Sequence, residues 1–402
     1  LGEPEDPDRN VVCRYRVTTD LSMEKAAEAI AAEQSTGTWT GISTLDRSIF
    51  DGLGARITSI DGDVITCEFP AEDFSIETGA VPQILSVIAG NLFGLGALKA
   101  VRLEDVTFPK SILEQFKGPK FGAEGIRKAL KRPEEPLVGT IVKPKIGLSP
   151  EKTAEYVYEA GSGGLTNSKD DETLVDQSFC PIEDRTIRVA EALDRLEEEG
   201  RMMMHAVNVS TRSDRIVELA EKVQGWGARE IMIDVITCGY GCLQALAEDP
   251  SIKVPIHVHR TMHGAFTKDP RHGINMLVLS KLVRMVGGDA LHIGTLGVGK
   301  MAAGAHDDSN LKACLGDDVP YKTVMPVCSG GVHPSLVADI IARSGMDVQI
   351  QAGGGVAGHP GGVRAGAMAM SQAVHAAYEG IPAAEYAESH PELRIALERW
   401  PR

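Results

Sequence analysis

The sequence predicts an α/β protein of two parts, an N-terminal α+β domain over residues 1–130 and a catalytic β/α barrel over residues 131–402, and three observations carry that prediction. From about residue 136 the chain repeats one rhythm, apolar strand then short loop then amphipathic helix, eight times over. Before that point strands and helices alternate differently, around Asp61-Gly62, the strongest short hairpin signal in the chain. Finally, side chains able to do chemistry recur just after the strands of the repeat, the end at which a β/α barrel carries its active site.

In order, Val11–Val17 is strand-like and Ser22–Glu33 carries apolar residues at helical spacing. Ala55–Ile60 and Asp63–Phe69 flank the hairpin turn, a second helix spans roughly Val81–Asn91, and a strand crosses Ala97–Val106. The order β-α-β-β-α-β is that of a ferredoxin-like domain. The eight later strands are Leu137–Lys143, Gly164–Ser168, Met202–Val207, Glu230–Val235, Val254–Val258, Ala290–Ile293, Thr323–Pro326 and Val348–Gln351. Helices such as Pro181–Glu199 and Asp214–Trp226 separate them, and their apolar stripes, including Leu219, Val223 and Val283, are core. Eight units in one run point to a TIM (β/α)8 barrel, since a doubly wound sheet rarely needs so many. The last segment, Ala383–Arg402, reads as a polar helical tail.

Composition bounds the function. With 402 residues, 43% of them hydrophobic, the chain is long enough for two domains and a large core. A formal charge of −15 argues against a nucleic-acid binder, which needs a basic face. Seven cysteines without regular spacing make no disulfide framework, and Cys238 and Cys242 are expected as buried free thiols. No apolar run reaches the ~20 residues a spanning helix needs, and no cleavable signal stands out, so a reducing cytoplasm and no membrane partner are expected.

The run Gly164-Leu165-Thr166-Asn167-Ser168-Lys169-Asp170-Asp171-Glu172 is the most informative stretch. As a solvated turn it would be ordinary. If Lys169 adds carbon dioxide, its carbamate joins Asp171 and Glu172 as three oxygen donors for a hard cation such as Mg²⁺. The first barrel strand ends in Lys143-Pro144-Lys145, two lysines of one pleat parity, expected to point inward together. The fifth ends in His257-Val258-His259-Arg260, with His263 beyond. The sixth delivers His292 and a glycine-rich loop to Lys300, the seventh Ser329-Gly330-Gly331, and the eighth Gln351 and then Gly353-Gly354-Gly355. A lone strand histidine is more often a hydrogen-bonded core residue, and a lone glycine pair is usually a turn. Six of eight strands presenting such groups at one end is a different matter.

Bare glycine amides after strands seven and eight suit a phosphate, and Arg260 with His292 suits a second. A cation between them would polarise a carbonyl mid-substrate, with Lys143 near the adjacent carbon. These parts call for a bisphosphorylated keto-sugar, enolised with metal assistance. They do not say what becomes of the enediolate.

Gly139-Thr140-Ile141-Val142-Lys143-Pro144-Lys145 and Lys169-Asp170-Asp171-Glu172 resemble the two hallmark motifs of the ribulose-1,5-bisphosphate carboxylase/oxygenase (RuBisCO) large subunit. The resemblance runs nearly end to end, through Glu33-Gln34-Ser35-Thr36-Gly37-Thr38-Trp39-Thr40, Gly90-Asn91-Leu92-Phe93-Gly94, His259-Arg260-Thr261-Met262-His263 and Gly297-Val298-Gly299-Lys300. Phe121-Gly122-Ala123-Glu124-Gly125 and Gly358-His359-Pro360 are most similar to the archaeal form III group.

The resemblance implies Mg²⁺-dependent carboxylation of ribulose 1,5-bisphosphate by CO2 to two 3-phosphoglycerates, with O2 as a competing substrate. It implies a carbamylated Lys169 holding Mg²⁺ with Asp171 and Glu172, and Lys143 as the enolising base, kept near neutral by adjacent positive charge, with Lys145 assisting. His259 would serve as a later base. Arg260 and His292 would bind one phosphate; Thr38, Trp39, Gly330, Gly331, Gly353 and Gly354 the other; Ser329 a substrate hydroxyl; and Gln351 is counted among the substrate contacts. Lys300, on a loop that closes over the substrate, would stabilise the new carboxylate and pair with Glu33. Asn91 would contact substrate near the metal. Because Glu33, Thr38, Trp39 and Asn91 come from the neighbouring subunit in that family, a homodimer is the smallest active unit implied, with no small subunit.

The sequence also departs from the family pattern. Met301-Ala302-Ala303-Gly304 follows Lys300 where Leu or Met and then Glu-Gly are usual, which bears on loop closure. Ile293, Thr173 and Gln34 replace a small hydroxyl residue, an Asn and a Ser. None removes a catalytic group. The alternatives are a RuBisCO-like enolase or isomerase of a methionine-salvage sugar phosphate, whose typical loss of substrate-binding or loop lysine positions is not seen here, and a non-catalytic scaffold.

Overall fold

The computed structural model describes residues 6–37, 43–44, 46–299 and 307–401. Near the N-terminus, β1 (Asn10–Thr18), β2 (Arg56–Asp61), β3 (Val64–Pro70) and β4 (Ala100–Thr107) form an antiparallel sheet in the order β4-β1-β3-β2. Tyr15, Ile65, Phe69 and Leu103 face helices Met23–Ala31 and Ala80–Ile88, which bury Ile30, Ile84 and Ile88 completely. The Tyr15 hydroxyl, too deep to reach water, donates to the Ile88 carbonyl at 2.6 Å. This is the expected ferredoxin-like arrangement, with an unforeseen helix, Arg47–Leu53, ahead of the hairpin and two more, Lys110–Leu113 and Gly122–Leu130, after β4.

All eight barrel strands appear where the sequence puts them, most of them shorter: β5 (Leu137–Ile141), β6 (Asn167–Lys169), β7 (Met204–Asn208), β8 (Glu230–Asp234) and β9 (Ile256–His259). A two-residue strand, β10 (Gly273–Ile274), leaves the barrel to pair in parallel with β4. Then β11 (Ala290–Gly294), β12 (Met325–Ser329) and β13 (Gln349–Gln351) complete it. The barrel closes as β11-β12-β13-β5-β6-β7-β8-β9, every neighbour parallel. Helix Gly122–Leu130 plugs its lower end, where Ile126 and Leu130 meet Leu137, Met204, Ala290 and Met325.

β10 is the seam between the two parts. Asn275 donates its amide to Leu103, and Lys281 reaches Asp105 at 2.5 Å and the Val106 carbonyl at 2.8 Å. Cys242 is buried, Cys238 half-buried, and both are free thiols. No described helix is long and apolar enough to cross a membrane.

Candidate active site at the mouth of the barrel

Strand β6 ends on Lys169, and the pleat sends consecutive residues to opposite sides. Lys169, 1% exposed, points into the barrel with its Nζ 3.5 Å from Glu172 Oε2. Burial pulls its ammonium below the usual lysine range, against the pull of Glu172, Asp171 and Asp234. Asp170 turns the other way. Its carboxylate is fully buried, accepts from the Arg185 guanidinium at 3.2 Å and the Asn208 amide at 3.0 Å, and lies 3.1 Å from His205 Nε2. Burial alone would raise its pKa, but these partners outweigh it and hold it at about 2. Asp170 is thus the anchor that locks the turn carrying its two neighbours, a role the motif does not announce.

Asp171 is held from both sides. Lys143 Nζ donates to Oδ2 at 2.7 Å, while the Thr173 hydroxyl (2.9 Å) and amide (3.2 Å) donate to Oδ1. Despite burial, these donors lower its pKa. The uncommon Thr173 therefore has a job, orienting Asp171. Lys143 thus has a carboxylate as its partner. The expected inward pairing of Lys143 and Lys145 needs correcting. Strand β5 ends at Ile141, so pleat parity no longer governs residue 145, and Lys145 is exposed in a small cleft with Val142, Leu148, Asp171 and Phe179. Gly353 explains itself here, since a Cβ on it would lie 3.2 Å from Lys143 Cε.

Strand β9 brings His259 to the same mouth, its Nε2 3.9 Å from Glu172 Oε2 and its Nδ1 3.5 Å from Asp234 Oδ1. The Thr261 amide donates to Nδ1 at 3.2 Å, which favours a neutral ring protonated on Nε2. Burial first, then Lys169, lowers its pKa. His292 packs edge-on to His259, with centroids 4.6 Å apart, and its Nδ1 lies 2.7 Å from Ser329 Oγ. Gly330 and Gly331 then turn the chain at φ 112° and 73°, backbone that a side chain would strain. Arg260 follows His259 directly on the turn. Gln351 is almost wholly buried at the end of β13, beside Ser329 in register. Gly354 has open space where a Cβ would stand.

Glu33 sits in a π-helical turn, Ala32–Thr36, and Asn91 is exposed ahead of the short helix Leu92–Gly94. Among the described residues neither side chain is hydrogen-bonded to the barrel mouth. Gln34, another departure, is buried and donates to the Val87 carbonyl at 2.6 Å. Thr38, Trp39, Lys300 and the Met301-Ala302-Ala303 segment lie outside the described residues.

The donor set fits a hard divalent cation in one way only. No three His, Cys, Asp or Glu side chains converge among the described residues. Asp171 and Glu172 supply two carboxylates, and the buried amine of Lys169 beside them is where a third oxygen ligand would form as a carbamate.

Two family models cover almost the whole chain. The ribulose bisphosphate carboxylase large chain N-terminal domain matches residues 3–112, and the catalytic domain of the same chain matches residues 122–400. The chain belongs to the RuBisCO large-chain family. A ribulose bisphosphate carboxylase of Methanosarcina mazei is 39% identical over 99% of this chain and 97% of its own length. The octameric RuBisCO of Pyrococcus horikoshii superposes with a TM-score of 0.93 at 38% identity, covering 99% of this chain and 94% of that one. The dimeric archaeal RuBisCO of Hyperthermus butylicus gives 0.89 at 38%, covering 99% and 97%. A rubisco-like protein of Alicyclobacillus acidocaldarius gives 0.85 at 31%, covering 98% of this chain and all of its own.

Sequence reasoning passed over Asp170, Asp234 and the network around His257. The signal was available for two of them, because Asp234 and His257 share pleat parity with inward-facing positions of β8 and β9.

Proposed function

We propose that the protein is an archaeal form III-type RuBisCO that carboxylates ribulose 1,5-bisphosphate to two molecules of 3-phosphoglycerate, with oxygenation as a side reaction. The observation that carries the reading is the convergence of Lys169, Asp171, Glu172, Lys143 and His259 within contact distances at one barrel mouth.

Lys169, its amine made easier to deprotonate by burial, would add CO2 and with Asp171 and Glu172 would hold Mg²⁺. Mg²⁺ supplies Lewis-acid polarisation of the substrate carbonyl when bound. Lys143, which donates to Asp171 here, would first give up a proton to solvent and as the neutral amine take the C3 proton to generate the enediolate. Lys145 assists from the cleft beside it. The half-buried His259, its pKa lowered, takes up a proton when water adds to the carboxylated intermediate. Arg260 grips one phosphate, while the expected second donor, His292, has both ring nitrogens engaged by His257 and Ser329; Gly330, Gly331, Gly353 and Gly354, with Thr38 and Trp39, grip the other through backbone amides. Ser329 meets a substrate hydroxyl and Gln351 lies beside it. Lys300 stabilises the new carboxylate, paired with Glu33 of a second copy, and Asn91 comes from that copy too. A homodimer, or an assembly of dimers without a small subunit, follows. Ile49, Phe50 and Leu53, exposed on one helix of the N-terminal domain, suit such a contact. The expected compartment is the cytoplasm.

The test is direct. After incubation with bicarbonate and Mg²⁺, ribulose 1,5-bisphosphate and labelled CO2 should yield labelled 3-phosphoglycerate. Label no higher than in a Lys169→Ala control overturns the carboxylase reading. The 31% identity to a rubisco-like protein favours one second reading, enolisation or isomerisation of a methionine-salvage sugar phosphate. C3 proton exchange without label in the product would select it.

A further inference from the structure

Beneath the mouth, the barrel interior holds a file of polar side chains that the reaction as described does not use. Glu230 opens strand β8 and is 1% exposed, and neither carboxylate oxygen has a hydrogen-bond partner within the ordinary distance. Its Oε1 lies 3.5 Å from His257 Nδ1, which is itself otherwise unpartnered. His257, wholly buried, has its Nε2 2.7 Å from His292 Nε2. His292 Nδ1 in turn lies 2.7 Å from Ser329 Oγ. Four groups thus form an unbranched chain from the floor of β8 to the rim of β12.

Such a chain has a direction. With Glu230 ionised and His257 neutral, the electrostatic contact at 3.5 Å puts the His257 proton on Nδ1, facing the carboxylate. The neutral ring then offers a lone pair on Nε2. Two bare nitrogens 2.7 Å apart would repel, so the single proton between the rings belongs to His292 Nε2. That leaves a lone pair on His292 Nδ1, and the Ser329 hydroxyl must donate to it. With its one proton committed downward, Ser329 Oγ faces the mouth with lone pairs only. Burial, reinforced by His259 and His257, keeps His292 neutral, as the scheme requires.

We infer that Glu230, acting through His257, fixes the proton positions of His292 and so holds Ser329 as a hydrogen-bond acceptor toward the substrate. Glu230 and His257 are positioning residues; neither touches the substrate. The consequence is selectivity for a ligand that presents a free hydroxyl, a donor, at that point, over one presenting a keto or ether oxygen. This rests on the reading of Ser329 as the contact to a substrate hydroxyl.

The experiment uses the full-length protein labelled with 15N-histidine, in which two-bond 15N–1H correlations report the tautomer of each of the eleven histidines, His292 being assigned from its loss in His292→Asn. Wild type should show His292 protonated on Nε2 and His257 on Nδ1. In Glu230→Gln, whose amide can donate as well as accept, and in Glu230→Met, which can do neither, a His292 population protonated on Nδ1 should appear. The KM for ribulose 1,5-bisphosphate should rise on the order of tenfold, with kcat changed less, as Ser329 loses its fixed role. Wild-type His292 protonated on Nδ1 overturns the inference, whatever the variants do, and so does an unchanged tautomer in both variants. A tautomer shift with an unchanged KM upholds the chain and overturns only the Ser329–hydroxyl contact.

Discussion

Asp170→Asn isolates the buried anchor of the turn that carries Asp171 and Glu172, and its cost can be worked from the contacts. The carboxylate and its main partner Arg185 are both fully buried, and Asp170 also takes the Asn208 amide and lies against His205. Removing one partner of a buried ion pair costs about 3–5 kcal/mol, because the other charge is left uncompensated. Arg185 keeps its bonds to the Cys180 and Val175 carbonyls, both 2.7 Å, and the new amide can still accept one hydrogen bond, so the loss should fall near about 3 kcal/mol. The titration gives a similar size by another route. A carboxyl lowered from 3.8 to about 2 contributes about 2 kcal/mol. Because the folded value is the lower one, that stabilisation is present above pH 4 and lost as pH falls through about 2. Urea denaturation followed by far-UV circular dichroism, at matched protein concentration because assembly couples to stability, should show the deficit at pH 7 and a smaller one near pH 2. A loss under about 1 kcal/mol at pH 7, or a gap that does not change with pH, would refute the reasoning.

Three further outcomes are expected. Gly353→Ala puts a methyl 3.2 Å from Lys143 Cε and should slow C3 proton exchange, read by NMR in deuterated water, about tenfold, with little change in thermal midpoint. Thr173→Val removes one of the two donors holding Asp171 Oδ1 and should raise the Mg²⁺ concentration for half-maximal activation about tenfold; an unchanged requirement would show that the hydroxyl does not orient the ligand. If Lys300 has the proposed role toward the new carboxylate, Lys300→Ala should keep C3 exchange within about twofold of wild type while abolishing carboxylation, and equal loss of both counts against that role.

The sequence by itself determined the strand count, the order of elements in both parts and the end of the barrel that carries chemistry. Local patterning suffices there: alternation or a short apolar run makes a strand, a 3.6-residue stripe makes a helix, and eight such units close one way. It also marked Lys169, Asp171 and Glu172, because a lysine and two carboxylates within four positions are a local fact. Tertiary structure decided what depends on groups distant in the chain. Asp170 reads like its neighbours until Arg185 and His205, from a helix and the next strand, turn it into a buried anchor. Lys143 and Lys145 look equivalent until β5 ends at Ile141 and only Lys143 reaches Asp171. The Glu230–His257–His292–Ser329 file belongs to no segment at all, because its contacts pass between four strands that only barrel closure brings together.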